Sequence, residues 1–274
     1  MPASPTLLGI LNITADSFSD GGRYLDPDAA LAHARALMAQ GADMIDLGPA
    51  SSHPDSADVG AAEEISRLGR VLPQLVDAGI PVSVDSFEPD VQLWALGHGV
   101  PYLNDIQGFP HSEIYPALAS ASAKLIIMHG VQGRGRAQRQ DVAAADIWDR
   151  IFTFFDERLA ALQAAGIARE RCVLDPGMGF FLGTDPEVSL TVLREIGRLE
   201  ARYDLPVLVS VSRKSFLRKM TGRDVADIGP ATLAAEIFAA KAGARYIRTH
   251  APGALRDALA VTGALDGALT PQTQ

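Results

Sequence analysis

Apolar runs in this chain repeatedly stop at a residue that can accept a proton, donate one or carry charge. The stops are Asn12, Asp46, Asp85, Asn104 with Asp105, His129, Asp175, Ser210 and Arg248-Thr249-His250. The sharpest is Arg171-Cys172-Val173-Leu174-Asp175-Pro176-Gly177-Met178-Gly179, where a short apolar run meets a carboxylate, then proline and glycine. It reads as a buried strand delivering Asp175 to a loop. Asp85, Asn104 and Asp175 at such ends can face one cavity, where together they suit a heterocycle that shows several N–H donors and ring acceptors. A lone strand-end carboxylate would instead be a helix cap or turn former, so the reading depends on the three meeting. Arg213-Lys214-Ser215 follows a strand end and opens a helix, which makes it either an anion site or solvated surface charge. Arg248-Thr249-His250, at the last strand, is the better anion candidate, with a purely structural His250 as its alternative. Asn12 through Gly22 is long for a connection and rich in oxygen ligands. It either helps hold Mg²⁺ on a phosphorylated substrate or is a plain capping loop. Zinc-type Cys/His spacing, G-x-S-x-G, a Walker loop and a strand-linked G-x-G-x-x-G are all missing.

The elements that must position these groups alternate. Strand signals run over Leu7–Ile13, Met44–Leu47, Pro81–Val84, Tyr102–Leu103, Leu125–Met128, the run into Asp175, Pro206–Val211 and Tyr246–Ile247. Helical periodicity lies between them, over Asp26–Gln40, Ala61–Asp77, Glu88–Gly97, Ser112–Ser120, Ala143–Ala165, Glu187–Arg202, Arg213–Met220, Pro230–Ala242 and Ala254–Leu265. Gly130 to Arg139 is polar and glycine-bearing, the pattern of a mobile loop. About eight strand-helix units favour a closed α/β barrel, a (β/α)8 TIM barrel, over an open doubly wound sheet. No linker composition divides the chain, so a single domain over 1–274 is expected, with a core of about 7–265.

Composition sets the class. At 274 residues, 47% hydrophobic and 21% charged, the chain has material for a large core and lacks the composition of disorder. A formal net charge of -9 opposes duplex nucleic acid and anionic membranes, so an anionic substrate needs a local cluster of cations. The single Cys172 cannot pair within the chain and lies in an apolar run, as a reduced buried thiol would. The N-terminus lacks a basic n-region and no apolar run approaches the roughly 18 residues of a membrane span. A soluble cytoplasmic protein is expected, without nucleic-acid or membrane partners.

Gly9 to Gly22, Val84-Asp85-Ser86, Leu103-Asn104-Asp105-Ile106, Asp175-Pro176-Gly177-Met178-Gly179-Phe180, Ser212-Arg213-Lys214-Ser215 and Arg248-Thr249-His250 resemble the dihydropteroate synthases in order and spacing, across about residues 7–265. The resemblance implies a TIM barrel that joins 6-hydroxymethyl-7,8-dihydropterin diphosphate to p-aminobenzoate in folate biosynthesis, with Mg²⁺, as a homodimer. It implies Asp85, Asn104, Met128, Asp175 and Lys214 for the pterin. For p-aminobenzoate it implies Ser51, Ser52, Pro54, Phe180, Phe181, Lys214 and Ser215. Asn12, Ser52, His53, Arg248 and His250 would meet diphosphate, with Asn12 at the metal, and Asp85, Asp175, Lys214, Arg248 and His250 would form the catalytic group. The alanine-rich helix from Ala231 to Ala242 could supply the dimer face. Two departures stand out: Ala50-Ser51-Ser52-His53-Pro54 replaces the family's Glu-Ser-Thr-Arg-Pro, and Gly179-Phe180-Phe181-Leu182-Gly183 replaces Gly-Phe-Gly-Lys. Both resemble the sulfonamide-insensitive members carried on mobile resistance elements. A pterin-binding methyltransferase would not need the two anion sites, and a catalytically inactive pterin binder would tolerate their loss.

Overall fold

The computed structural model describes residues 4–14, 26–56, 59–132 and 135–268. Eight parallel strands, β1 (Thr6–Asn12), β2 (Met44–Gly48), β3 (Val82–Asp85), β4 (Tyr102–Asp105), β5 (Lys124–Met128), β6 (Cys172–Asp175), β7 (Leu208–Val209) and β8 (Tyr246–Thr249), form one sheet. Their order is β6-β5-β4-β3-β2-β1-β8-β7. A bridge between Leu174 and Val207, with the Leu174 N–H donating to Pro206 O at 2.9 Å, joins the two ends and closes the barrel. The expected TIM barrel is therefore the fold.

Between the strands lie α1 (Pro27–Ala39), α2 (Ala61–Asp77), α3 (Pro89–Gly97), α4 (Tyr115–Ser120), α5 (Ile147–Ala164), α6 (Pro186–Arg194), α7 (Gly197–Tyr203), α8 (Ser215–Thr221), α9 (Gly229–Lys241) and α10 (Pro252–Ala268). Their apolar faces share one core with the outward residues of the strands, such as Leu7, Ile45, Leu103, Leu174 and Ile247. Asp26 caps α1 by accepting from the Ala29 N–H, and Asp185 caps α6 through the Glu187 N–H. The helix expected over Glu187–Arg202 is instead two, α6 and α7, with the break at Glu195 and the buried Ile196 and with Gly197, a poor helix former, opening the second. The strand expected over Pro206–Val211 shrinks to Leu208–Val209, because the chain then turns away through Arg213 at φ +58°.

Inside the barrel, the two-residue period of the strands sets the site. Leu8, Met44, Tyr102, Ile126, Val173, Leu208 and Tyr246 pack on one another as an interior layer. Two positions further along each strand, on the same face, come Ile10, Asp46, Asn104, Met128, Asp175, Ser210 and Arg248. An apolar plug thus fills one end of the barrel, and the next layer, toward the strands' C-terminal ends, is mostly polar. No helix among the described residues is long and apolar enough to cross a membrane.

Candidate active site

A cleft opens over that layer, lined by Asn12, Ser51, Ser52, His53, Pro54, Asp85, Phe180, Phe181, Lys214, Ser215, Arg248 and His250 among others. Most of the residues singled out from the sequence thus meet in one place. Asn104, Met128 and Asp175 do not line the open cleft; they are 3%, 6% and 2% exposed. Met128 packs with Phe181, Ile106 and Ala137 in an apolar cluster flanked by Phe87 and Phe180. Phe181 is therefore both core on one side and cleft wall on the other.

Ala137 comes from the loop after β5, whose composition suggested mobility. Its described residues are tied down instead. The Val131 N–H donates to Phe181 O at 2.9 Å and the Ala137 N–H to Ser52 O at 3.3 Å. Arg139 forks onto Asp55 at 2.8 and 2.6 Å, and Arg136 donates to Ser56 O. Arg139 also lies over the Phe180 ring, 5.5 Å from its centroid, while His53 meets that ring edge-on at 5.9 Å. Of the Asn12–Gly22 stretch, residues 15–22 lie outside the described residues.

Electrostatics concentrate on Arg248. Its guanidinium donates to Asp46, which sequence reasoning noted only as a strand end, and to Asp85 at 2.8 Å. Burial pushes the Asp85 carboxyl up to about 7, and the nearby Asp46 adds to the rise while Arg248 opposes it. Burial likewise raises Asp175 to about 6, although the Gly177 N–H donates to it at 2.8 Å. Gly177 has no substitute there: at φ +75°, a Cβ would sit 2.4 Å from His129 O. Lys214, buried near Arg248, is lowered to about 8, with Asp175 and Asp85 holding it up, and its ammonium lies 5.1 Å from the Phe181 ring centroid. At neutral pH it remains mostly protonated. Burial shifts His53 down, with Asp55 opposing and Arg139 adding to the shift. His250 is held well below its ordinary value by burial and then by Arg213, Arg248 and Lys214, so its ring is neutral near pH 7.

Several buried polar atoms have no hydrogen-bond partner among the described residues, including Asn104 Oδ1, Ser210 Oγ and Thr14 Oγ1. Leaving such an acceptor unpaired costs about 1–3 kcal/mol, so these atoms mark where a ligand's donors would be received. Asn104 Nδ2 makes only long contacts to Asp46, at 3.4 and 3.5 Å. Arg213, singled out with Lys214 and Ser215 from the sequence, lines the cleft, whereas Arg218 escaped the sequence reading. Arg218 was legible in principle, lying four residues after Lys214 and therefore on the same helical face. No group of three or more His, Cys, Asp or Glu suited to a metal occurs among the described residues. Among the described residues Asn12 is the one that lines the cleft with a side-chain amide carbonyl, and Mg²⁺ is commonly held by one or two protein oxygens together with substrate phosphates and water. That donor set fits Mg²⁺ brought in by a diphosphate, and does not fit a protein-caged ion.

Known proteins share both fold and sequence. The pterin binding enzyme family profile matches residues 8–250. Dihydropteroate synthase type-2 of Escherichia coli is 61% identical over 265 residues, covering 97% of each chain. Among solved structures, the Xanthomonas albilineans dihydropteroate synthase with 4-aminobenzoic acid superposes at a TM-score of 0.86, with 34% identity over 98% of this chain and 95% of that one. The Yersinia pestis dihydropteroate synthase in a sulfonamide drug complex gives 0.88 at 30% identity, over 97% and 95%. With identity this high sustained along nearly the whole barrel, the chain belongs to the dihydropteroate synthases, within the pterin binding enzymes.

Proposed function

We propose that this dihydropteroate synthase uses Asp85, Asn104, Met128, Asp175 and Lys214 to hold the dihydropterin, and Asn12, Ser52, His53, Arg248 and His250 to hold its diphosphate. Ser51, Ser52, Pro54, Phe180, Phe181, Lys214 and Ser215 form the p-aminobenzoate side. The observation that carries the reading is the meeting of buried Asp175, Asp85 and the unpaired Asn104 Oδ1 with Lys214, Arg248 and His250 at one end of the barrel. The carboxylates and amide receive the pterin N–H groups, and the cations draw charge toward the departing diphosphate. The C–O bond to diphosphate breaks, leaving a pterin cation delocalised from its exocyclic methylene. The arylamine nitrogen then forms the C–N bond and gives up a proton. No side chain becomes a covalent nucleophile, so the protein contributes positioning and electrostatics. Mg²⁺, bound with the diphosphate and Asn12, would neutralise the leaving group's charge.

A coupled assay for diphosphate release tests the activity. Release should require both substrates, and release without p-aminobenzoate at the same rate would reject the condensation.

Phe181 also offers a basis for discriminating against sulfonamides. A sulfonamide shares the aniline ring but carries a substituent beyond the compact carboxylate, so rigid bulk at that edge touches only the drug. Overpacking of this kind costs about 1–3 kcal/mol, and each 1.4 kcal/mol is about tenfold in affinity. The packing of Phe181 on Met128, Ala137 and Ile106 supports the required rigidity. Phe181→Gly should lower the sulfonamide inhibition constant at least about tenfold, with a much smaller change in the Michaelis constant for p-aminobenzoate. Parallel movement of both constants would place the selectivity elsewhere, with His53 next.

The whole chain acts as one pterin-binding domain, in the cytoplasm, with small molecules as its substrates. A second copy covers α9, whose Phe238 is 45% exposed beside Met220 at 53%, over a groove lined by Leu190, Leu193, Phe216 and Ala234. Sedimentation should give a dimer that Phe238→Lys dissociates.

A further inference from the structure

Buried carboxylates outside the cleft are mostly accounted for by their partners. Asp105 accepts from the Gln107 and Phe109 N–H groups and from Gln92, and Glu64 accepts from the Ser86 hydroxyl at 2.6 Å. Glu236 is different. It sits on the barrel-facing side of α9 at 1% exposure, and its Oε1 has no hydrogen-bond partner among the described residues. Its polar neighbours are the hydroxyls of Thr249 and Ser212. Ser212 Oγ lies 2.8 Å from His250 Nδ1 and accepts from the His250 backbone N–H at 3.2 Å. His250 in turn lines the cleft. A line therefore runs from a buried carboxyl through a hydroxyl to an imidazole and on to the substrate site.

Donor counting gives that line a direction. The cationic or titratable groups acting on His250 are Arg213, Arg248, Lys214 and His33, and with burial they keep its ring neutral. A neutral imidazole has one N–H, and to donate toward a diphosphate it must carry it on Nε2. His250 Nδ1 must then accept from the Ser212 O–H. With its only proton so used, and the His250 N–H already received, Ser212 can engage Glu236 only by accepting from a protonated carboxyl.

We propose that Glu236 is a positioning residue which, as a neutral acid acting through Ser212, holds His250 in the Nε2–H tautomer that donates to the diphosphate of the pterin substrate. The inference rests on the reading of His250 as a diphosphate contact. Burial raises Glu236 to about 7, so the acid form is substantially present near neutrality. When Glu236 ionises, the Ser212 O–H turns to the carboxylate, the imidazole proton moves to Nδ1, and an Nε2 lone pair faces the diphosphate.

The ¹⁵N resonances of the imidazole distinguish the two tautomers, and His250→Gln assigns the signal among the chain's six histidines. In the native protein, His250 should be Nε2–H at about pH 6 and shift toward Nδ1–H by about pH 9. Over the same range the Michaelis constant for the diphosphate substrate should rise by about tenfold relative to the dissociation constant of free hydroxymethylpterin, which shares the titrations of Asp85, Asp175 and Lys214. Glu236→Gln keeps a donor and cannot ionise, so it should hold the Nε2–H form across the range and remove the rise. A native tautomer that does not change with pH, which needs no variant to observe, would overturn the proposal, as would Glu236→Gln following the native curve. A tautomer switch in a protein whose His250→Gln variant keeps full diphosphate affinity would uphold the relay and reject the role assigned to His250.

Discussion

Asp175→Asn is expected to remove roughly 2–4 kcal/mol of pterin recognition while the barrel still folds. The substitution preserves shape and the acceptor that receives the Gly177 N–H at 2.8 Å, so the turn into the glycine loop survives. It replaces the other carboxylate oxygen with an NH₂ that must face a pterin N–H. Two donors then oppose each other at a place that is 2% exposed, where water cannot relieve them. Calorimetry with pterin diphosphate should show a loss of about thirtyfold to several hundredfold. Unchanged affinity would remove Asp175 from the site.

Arg248→Ala should have the largest effect of all, because it acts twice. Asp46 is completely buried and Asp85 partly so, and both lean on this one guanidinium. Removing one partner of a buried ion pair costs about 3–5 kcal/mol, so a marked drop in Tm is expected, greater at pH 8 than at pH 5, where protonation of Asp85, raised to about 7, relieves the stranded charge. The sign follows from the raised carboxyl: its acid form is already favoured by burial, so acid removes the penalty. The same variant should weaken the diphosphate substrate far more than free hydroxymethylpterin, since only the former carries the charge. Equal losses for the two ligands would leave Arg248 a purely structural brace for Asp46 and Asp85.

Much of this protein was legible in its order of residues. Apolar strand runs that end in polar groups, with helical periodicity between them, give the parallel barrel, because strands buried on both faces must read as continuous apolar segments. The two-residue period then dictates that Asn104, Asp175 and Arg248 follow Tyr102, Val173 and Tyr246 onto the inner face, which is why strand ends named the site. Contacts between strands far apart in sequence were not legible. Asp46 and Arg248, 202 positions apart, pair only because β2 and β8 both flank β1. Likewise the packing of Phe181 and Ala137 on Met128, and the approach of Glu236 to Ser212 and His250, depend on how loops and α9 dock against the barrel. Local propensity carries no information about such docking, since it is decided by side-chain packing and hydrogen-bond pairing between segments that meet only in the closed fold.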